Sequence, residues 1–270
     1  MNKRPLIILL LWVFATGVMA QSDTITAKKE TVAANFFAVG YTNMLDTYLS
    51  PEDYEGVELR FINETTRIRP GSRWTRQATT QTLFSTGSSR GDGTSMALQA
   101  NYGYAWHYNW DFMGGRLNVK AGGMADGAIG VLYNTQNQNN PAQMRLFANI
   151  GPSGIADYRF HMWRMPASLR YEIFVPLCGV MFSPNYGQSY YEIFNRGNYD
   201  HNIVPTTFIS APSLRNMLTL NVTWKRNTYS IGYMGDIQQA SVNHLKQHIY
   251  SHLLVIGFVR HFKITDIIPK

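Results

Sequence analysis

Hydrophobic and polar side chains alternate one by one over much of this chain. In the clearest stretch, aromatic residues occupy every second position from Tyr102 to Trp110, with glycine, alanine, histidine and asparagine between them. The stretches 218–224 and 229–233 repeat the pattern with aliphatic residues and tyrosine. Because successive side chains of a strand point to opposite faces, a period of two predicts β-strands with one apolar and one polar face.

Applied to the whole chain, this pattern predicts an all-β protein of about twelve strands. The predicted strands cover residues 32–44, 56–66, 73–85, 95–110, 115–123, 128–134, 143–151, 156–164, 168–182, 215–225, 228–238 and 248–262. The links between them alternate in length at several places. Long links are predicted at 45–54, 85–94, 183–214 and 237–247, and short links at 69–72, 111–115, 164–166 and 226–227.

This arrangement favours one fold class over its alternative. The apolar faces are rich in tyrosine and tryptophan, which suit a membrane–water interface, whereas a soluble sandwich would pack aliphatic faces into a core. Short turns at one end and long loops at the other are typical of outer-membrane barrels, whose short turns face the periplasm. We therefore predict a transmembrane antiparallel up-and-down β-barrel with both termini on the periplasmic side. A periplasmic β-sandwich is the alternative.

The first residues predict export. A basic start, Asn2-Lys3-Arg4, precedes an apolar run at 6–15 and the small-residue stretch Gly17-Val18-Met19-Ala20. This order is typical of a secretory signal peptide, and the apolar run is shorter than the roughly 20 residues of a retained membrane anchor. We predict a signal peptide at 1–20 and a single barrel domain at 21–270. The last predicted strand ends at Phe262, which resembles the aromatic-terminated final strand of outer-membrane barrels.

Composition narrows the chemistry further. Charged residues make up 15% and aromatic residues 13% of the chain, which excludes a disordered protein. The single cysteine, Cys178, excludes a disulfide framework and a thiolate metal site. The net charge of +7 comes without a long basic run, so nucleic-acid binding has no support. Six charges share the parity opposite to the apolar faces and should line a tight or plugged lumen: Glu58, Arg60, Lys120, Arg159, Arg170 and Glu172.

Two blocks of sequence resemble a known family. The first is PNYGQSYYEIFNRGNYDHN at 184–202, and the second is GYMGD at 232–236 with the following stretches 242–246 and 250–252. Both are similar to secreted and outer-membrane proteins of Bacteroidetes-type bacteria classed as a domain of unknown function. The resemblance implies a Gram-negative envelope and agrees with a barrel. It implies no activity, cofactor or catalytic residue.

The longest link holds the candidate binding site. Its polar and aromatic cluster consists of Tyr190, Tyr191, Glu192, Arg196, Asp200 and His201. These side chains could bind a sugar, with rings on the pyranose faces, or they could fix the loop through their own Glu–Arg and Asp–His contacts. Exposed rings forgo burial energy, so the six aromatic residues of this link should pack into the barrel mouth: Tyr186, Tyr190, Tyr191, Phe194, Tyr199 and Phe208.

The chain offers little for catalysis. A barrel hydrolase needs histidine and serine on one strand face, but Ser251 has the opposite parity to His248 and His252. The two histidines would lie about 13 Å apart, too far to share one metal. We therefore predict no catalytic residue, no metal and no cofactor.

These observations favour a structural or binding accessory protein of the outer membrane without enzymatic activity. Its expected partners are outer-membrane lipid and either another envelope protein or a glycan. A small-solute channel is the first alternative, and an outer-membrane lipid hydrolase is the second.

Overall fold

The computed structural model describes residues 30–263 apart from 70, 92, 138–139 and 226, so the predicted signal peptide lies outside the described residues. Among the residues that it does describe, twelve strands are joined by one helix, α1 (Tyr190–Phe194), and one 3-10 turn (Met113–Gly115). The strands are β1 (Glu30–Asp46), β2 (Ser50–Ile68), β3 (Trp74–Ser88), β4 (Thr94–Phe112), β5 (Leu117–Asn134), β6 (Ala142–Met162), β7 (Met165–Phe174), β8 (Cys178–Phe182), β9 (Ile203–Thr207), β10 (Leu214–Trp224), β11 (Asn227–Val242) and β12 (Leu245–Lys263).

Ten of these strands close into a barrel. β1 to β7 follow one another round the ring, β10 to β12 continue it, and β12 returns to β1. The closing pair runs from Glu30 opposite Lys263 to Asp46 opposite Gln247. The described chain therefore starts and finishes at one end of the barrel, called the terminal end here, and the opposite end is called the distal end. The predicted antiparallel up-and-down barrel is confirmed.

Strands β8 and β9 lie outside the ring. The long strand β6 pairs with β7 over Ser153–Met162 and with β8 over Phe147–Ile150. β9 then pairs with β8. This hairpin extends the wall at the distal end, past the point where β7 stops.

The total of twelve strands is confirmed, but the chain is divided differently from the prediction. The two predicted strands at 115–123 and 128–134 are the single strand β5, and those at 143–151 and 156–164 are the single strand β6. The predicted strand at 168–182 is instead broken into β7 and β8. Glycine caused the first error, because it marks close backbone approach here and not a turn: a Cβ on Gly122 would lie 1.8 Å from the Trp106 carbonyl oxygen. Pro176 accounts for the break, since proline has no N–H to donate to the ladder.

Two predicted long links are in fact tight turns. β2 begins at Ser50, directly after a turn that follows Asp46, and only Asn243 and His244 connect β11 to β12. Both of these residues have left-handed backbone angles, φ 51° and 60°, as a two-residue type I′ hairpin requires. The prediction was wrong because the strands continue past their apolar stretch into polar residues that resemble a loop in sequence.

The predicted alternation is confirmed by which face each side chain occupies. Large apolar side chains cover the outside of the wall, among them Phe37, Val39, Leu59, Phe61, Leu98, Ile129, Val131, Leu218, Ile231, Leu254 and Ile256. Exposed tryptophans flank them near the terminal end: Trp74, Trp106, Trp110 and Trp224. Polar side chains fill the inside. An apolar outer face and a polar interior are typical of barrels that are surrounded by lipid. Among the described residues, no helix has the length and apolar character needed to span a bilayer.

Two apolar clusters divide the polar interior. One lies in the middle of β1, β2, β10, β11 and β12 and includes Phe36, Ile62, Met217, Met234 and Leu253. The other closes the distal end and includes Met44, Leu49, Tyr54, Leu83, Leu132 and Ile249. Charged side chains lie between and beside these clusters, so side chains occupy most of the interior.

Candidate functional site

A fully buried arginine holds the centre of the barrel. Arg60 Nη2 lies 2.7 Å from Glu58 Oε1, and Arg60 Nη1 lies 2.6 Å from Asp236 Oδ2 across the lumen. The hydroxyl of Ser251 donates to Glu58 Oε2 at 2.7 Å, so β12 joins the same network. Because a guanidinium keeps its charge in proteins, its burial requires these two carboxylates.

Two further arginines continue this network. Arg215 Nη1 lies 3.2 Å from Asp126 Oδ1, and Arg215 Nε lies 3.6 Å from Asp236 Oδ1, so Asp236 links Arg215 to Arg60. Arg145, nearer the distal end, is held by the side-chain oxygens of Gln99, Gln238 and Gln247. These contacts join strands on opposite sides of the ring and fill the space between them.

A second charged group lies nearer the terminal end. Arg170 forms an ion pair with Glu172 on its own strand and lies 3.6 Å from Glu64 across the lumen. Gln77 Nε2 donates to Glu172 Oε2 at 3.1 Å, which ties β3 to β7. Each carboxylate here therefore faces a positive or donor group.

The structure places the predicted lumen charges as expected. Glu58, Arg60, Lys120, Arg170 and Glu172 face inward and are shielded from solvent, whereas Arg159 faces the opening at the terminal end and is exposed. The interior around the central network leaves cavities of only about 40 and 50 Å³. A larger cavity of about 740 Å³, named the basal cavity here, lies at the terminal end. The lumen is thus wide at one end and filled in its middle.

The link predicted to carry recognition is an ordered structure at the distal end. We call residues 183–213 the distal segment. Its two arms are joined where the Ser183 amide donates to the Asn202 carbonyl oxygen at 2.9 Å and the Asn202 side-chain amide donates to Gln188 Oε1 at 2.7 Å. Asn243, in the turn between β11 and β12, donates to the His201 carbonyl oxygen at 2.9 Å. The segment is therefore attached to the barrel wall by directed hydrogen bonds.

A capping box fixes the short helix α1 within this segment. The Ser189 hydroxyl accepts from the Glu192 amide at 3.3 Å, and the Glu192 carboxylate accepts from the Ser189 amide at 2.8 Å. These bonds from Ser189 lower the pKa of the Glu192 carboxyl. The Ser-x-x-Glu spacing is a sequence signal for this helix start, although the period-two pattern by itself predicts no helix here.

Tyr190 anchors the helix to the wall. Its hydroxyl accepts from the Met144 amide at 2.7 Å and donates to Gln143 Oε1 at 2.8 Å, both on β6. Its ring meets the Tyr48 ring edge-on at 5.9 Å. Burial raises the pKa of the Tyr190 hydroxyl, so this group remains a neutral hydrogen-bonding anchor.

Most rings of the distal segment do not pack into the barrel mouth, so that prediction was wrong for all but Tyr190. Tyr186 is 76% exposed, Tyr199 63%, Tyr191 58% and Phe194 56%, and Phe208 is also exposed. Because the capping box sets the orientation of α1, turning Tyr190 to the wall turns Tyr191 to solvent. We call Tyr186, Tyr191, Phe194 and Tyr199 the distal aromatic surface.

The other predicted site residues divide between two places. The Arg196 guanidinium lies 5.5 Å from the centre of the Tyr191 ring, as a cation–π contact. Asp200 Oδ1 and His201 Nδ1 lie 2.6 Å apart at the exposed surface of the segment. The expected Asp–His contact is present, but Glu192 bonds Ser189 in place of Arg196. Of the six predicted residues, Tyr190 and Glu192 hold the segment in shape, while Tyr191, Arg196, Asp200 and His201 remain available at its surface.

The face assignment of the β12 histidines is as predicted. Ser251 points inward to Glu58, whereas His248 points outward, stacks on Tyr250 at 4.1 Å and lies 2.6 Å from Asn43 Oδ1. His252 also points outward, 2.6 Å from the Tyr233 hydroxyl. These histidines therefore cannot activate Ser251. Among the described residues, no group of three histidine, cysteine or acidic side chains could hold a metal.

A different serine–histidine contact was missed by the sequence analysis. His107 Nε2 lies 3.0 Å from Ser153 Oγ inside the barrel, because Gly122 stands between them on β5 and has no side chain. The pair is 46 residues apart, so only the strand register could have revealed it. His107 Nδ1 has no partner among the described residues, so the third group that orients a catalytic histidine is absent from this part of the chain.

Solved structures with a similar course of the chain are bacterial barrels of low sequence identity. The transport unit of the autotransporter AIDA-I from Escherichia coli is 6% identical with a TM-score of 0.47, over 96% of this chain and 97% of that chain. The translocator domain of the autotransporter NalP from Neisseria meningitidis is 8% identical with a TM-score of 0.37, over 89% and 90% of the two chains. Ail, the attachment invasion locus protein of Yersinia pestis, is 6% identical with a TM-score of 0.28, over 87% and 99%.

These scores carry no argument about function, and the barrel assignment rests on the strand pairing of this chain itself. No curated protein matches the sequence. One family model does match, and it covers residues 5–267, nearly the whole chain. The chain belongs to the family described as protein of unknown function DUF3316.

Proposed function

We propose that this protein is an outer-membrane barrel that binds another envelope protein through its distal aromatic surface. The exposed apolar wall and its flanking tryptophans support a place in a bilayer, because each of these side chains would cost free energy in water. In the usual orientation of such barrels, the terminal end faces the periplasm and the distal segment faces the outside.

The single observation that carries the binding role is the exposure of four rings on an ordered segment. Each exposed ring forgoes about 1.5–3 kcal/mol of burial, which a partner would recover. Tyrosine and arginine are enriched at protein interfaces, and Tyr191 lies under Arg196 here. Because hydrogen bonds already hold the segment, binding would require little further ordering. A protein partner is favoured over a glycan because the aliphatic side chain of Ile203, which is exposed on β9 of the same segment, offers nothing to a sugar hydroxyl.

Photocrosslinking in intact cells tests this proposal. A photoreactive phenylalanine analogue at Tyr191 or Tyr199 is expected to form a discrete adduct with one envelope protein. The same analogue at Trp163, which is even more solvent-exposed but lies in the turn at the terminal end, is the control and should not form that adduct. A diffuse glycan smear would assign the surface to a sugar, and recovery of the protein from the soluble periplasm would contradict the membrane location.

Because the lumen is filled, we expect the protein not to conduct ions as an open channel would. Purified protein in planar bilayers should show no large and steady single-channel conductance, because the Arg60 network joins the walls and the cavities around it hold about 40 and 50 Å³. Cavities of that size take about one or two water molecules. A stable open state of porin-like conductance would contradict this and favour a solute channel.

A further inference from the structure

The basal cavity lies at the terminal end of the barrel, remote from the distal segment. It has a volume of about 740 Å³, within the range of about 300–1,000 Å³ typical of small-molecule sites. Glu30, Ile68, Arg116, His161 and Thr228 line it, and all of them lie at strand ends of the terminal end, so the cavity opens there. Its inner limit is the apolar cluster that contains Phe36, so the cavity is blind.

The two sides of this cavity differ in chemistry. β1 and β12 contribute the apolar side chains of Val32, Ala34, Phe36 and Val259. The opposite side, on β5 to β7, contributes positive charges, with Lys120 and Arg159 among them. A ligand that used both sides would need a hydrocarbon part and an anionic part.

The positive side holds charges that the protein neutralises only in part. Lys120 is a buried residue that lines the cavity, and among the described residues its ammonium forms no hydrogen bond or close ion pair, although the carboxylates of Asp157 and Glu172 attract it from nearby. Arg116 and Arg159 likewise have no side-chain partner among those residues, whereas Arg170 is held by Glu64 and Glu172.

The acidic groups of the cavity do not balance these three cations. Glu64 is engaged with Arg170, and Glu30 Oε1 lies 3.3 Å from His261 Nδ1. Asp157 is the acid that remains, with one buried carboxylate oxygen lacking a partner. One carboxylate cannot balance three cations, so the cavity keeps a net positive charge, and an anion bound there would stabilise the site.

We propose that the basal cavity binds a single-chain amphiphile with an anionic headgroup, a carboxylate or a phosphate. The headgroup lies against Lys120 and Arg159, and the hydrocarbon lies along Val32, Phe36 and Val259. The ligand enters from the terminal end, because the other end of the cavity is closed by packed side chains. This site is independent of the distal aromatic surface, and neither proposal depends on the other.

The test uses the full mature chain in phosphatidylcholine nanodiscs and a photoreactive octanoate that carries a terminal diazirine. We expect labelled peptides from β1 and β12, whose inward residues form the apolar side. Unlabelled octanoate or octyl phosphate should compete, and the stronger competitor identifies the headgroup. Octanol and octyltrimethylammonium should not compete, since they lack the negative charge.

Variants make the test specific to the unpaired cations. Lys120→Met should weaken labelling about tenfold, the loss expected for one charge-assisted hydrogen bond. Arg159→Gln should weaken it in the same direction, and it serves as the test if Lys120→Met fails to fold. Lys225→Met removes an exposed cation from a turn at the same end, outside the cavity, and should leave labelling unchanged. Equal labelling of wild type and both cavity variants, or label confined to outward-facing residues, would overturn the proposal.

Discussion

Replacing Arg60 by methionine is expected to lower the free energy of unfolding of the barrel by about 3–5 kcal/mol, the range for breaking a buried ion pair on one side. Methionine keeps much of the side-chain volume, so the loss comes from charge. Glu58 would remain buried without the guanidinium that lies 2.7 Å from it, and Asp236 would keep only Arg215, whose Nε lies 3.6 Å away, as its cation. The substitution therefore removes ion pairs that join the strands across the interior of the barrel.

Urea unfolding of the refolded protein in detergent, followed by heat-modifiable gel migration, measures this change. Arg67→Met is the matched control, because Arg67 lies on the same strand but is exposed, and its replacement should change stability by less than about 0.5 kcal/mol. The triple variant Arg60→Met, Glu58→Gln, Asp236→Asn should recover much of the loss, since no unpaired charge remains. An Arg60→Met barrel as stable as wild type would show that these ion pairs do not contribute to stability and would contradict the prediction.

Replacing residues 185–200 by Gly-Gly is expected to abolish partner binding while the barrel still inserts. The Ser183 amide and the Asn202 carbonyl oxygen are 2.9 Å apart, so a short turn can bridge the gap. None of the pairings that close the ten-stranded ring involves the deleted residues. The deletion removes all four rings of the distal aromatic surface together with the Tyr190 anchor.

Two measurements separate binding from assembly in this variant. Heat-modifiable migration in the outer-membrane fraction should persist. A photoreactive group at Ile203, which is exposed and stays in the shortened chain, should form the adduct in the full-length protein and lose it in the variant. A matched variant, Tyr190→Phe, keeps the surface rings but removes the hydroxyl bonds to Gln143 and Met144, so it should weaken binding without abolishing it. If the shortened protein fails to insert, the segment is a structural plug and the recognition role is refuted.

The period-two pattern determined the fold class and the two faces of the wall. Strands such as β4 and β10 were predictable because each side chain has its own preference for lipid or for the lumen. The resulting alternation can be read without knowing which strands lie next to them. The inward charges Glu58 and Arg60 followed from the same parity. Strand division failed where glycine dominates, around Gly122, because the same residue serves turns and close strand contacts.

The candidate site depended much more on tertiary structure. The polar and aromatic residues of the distal segment could be identified from the sequence as binding candidates. Which ring faces the wall was decided by the capping box of Ser189 and Glu192 and by the hydrogen bonds of Tyr190 to β6. The contact between Arg60 and Asp236 spans 176 positions, and which acids come near Lys120 depends on the register of β5 against β6 and β7. The alternation in the sequence thus determined which side chains face inward. Only closure of the ring decided which of them meet, because a barrel brings together residues of the opposite wall through strand order and register, which no local pattern contains.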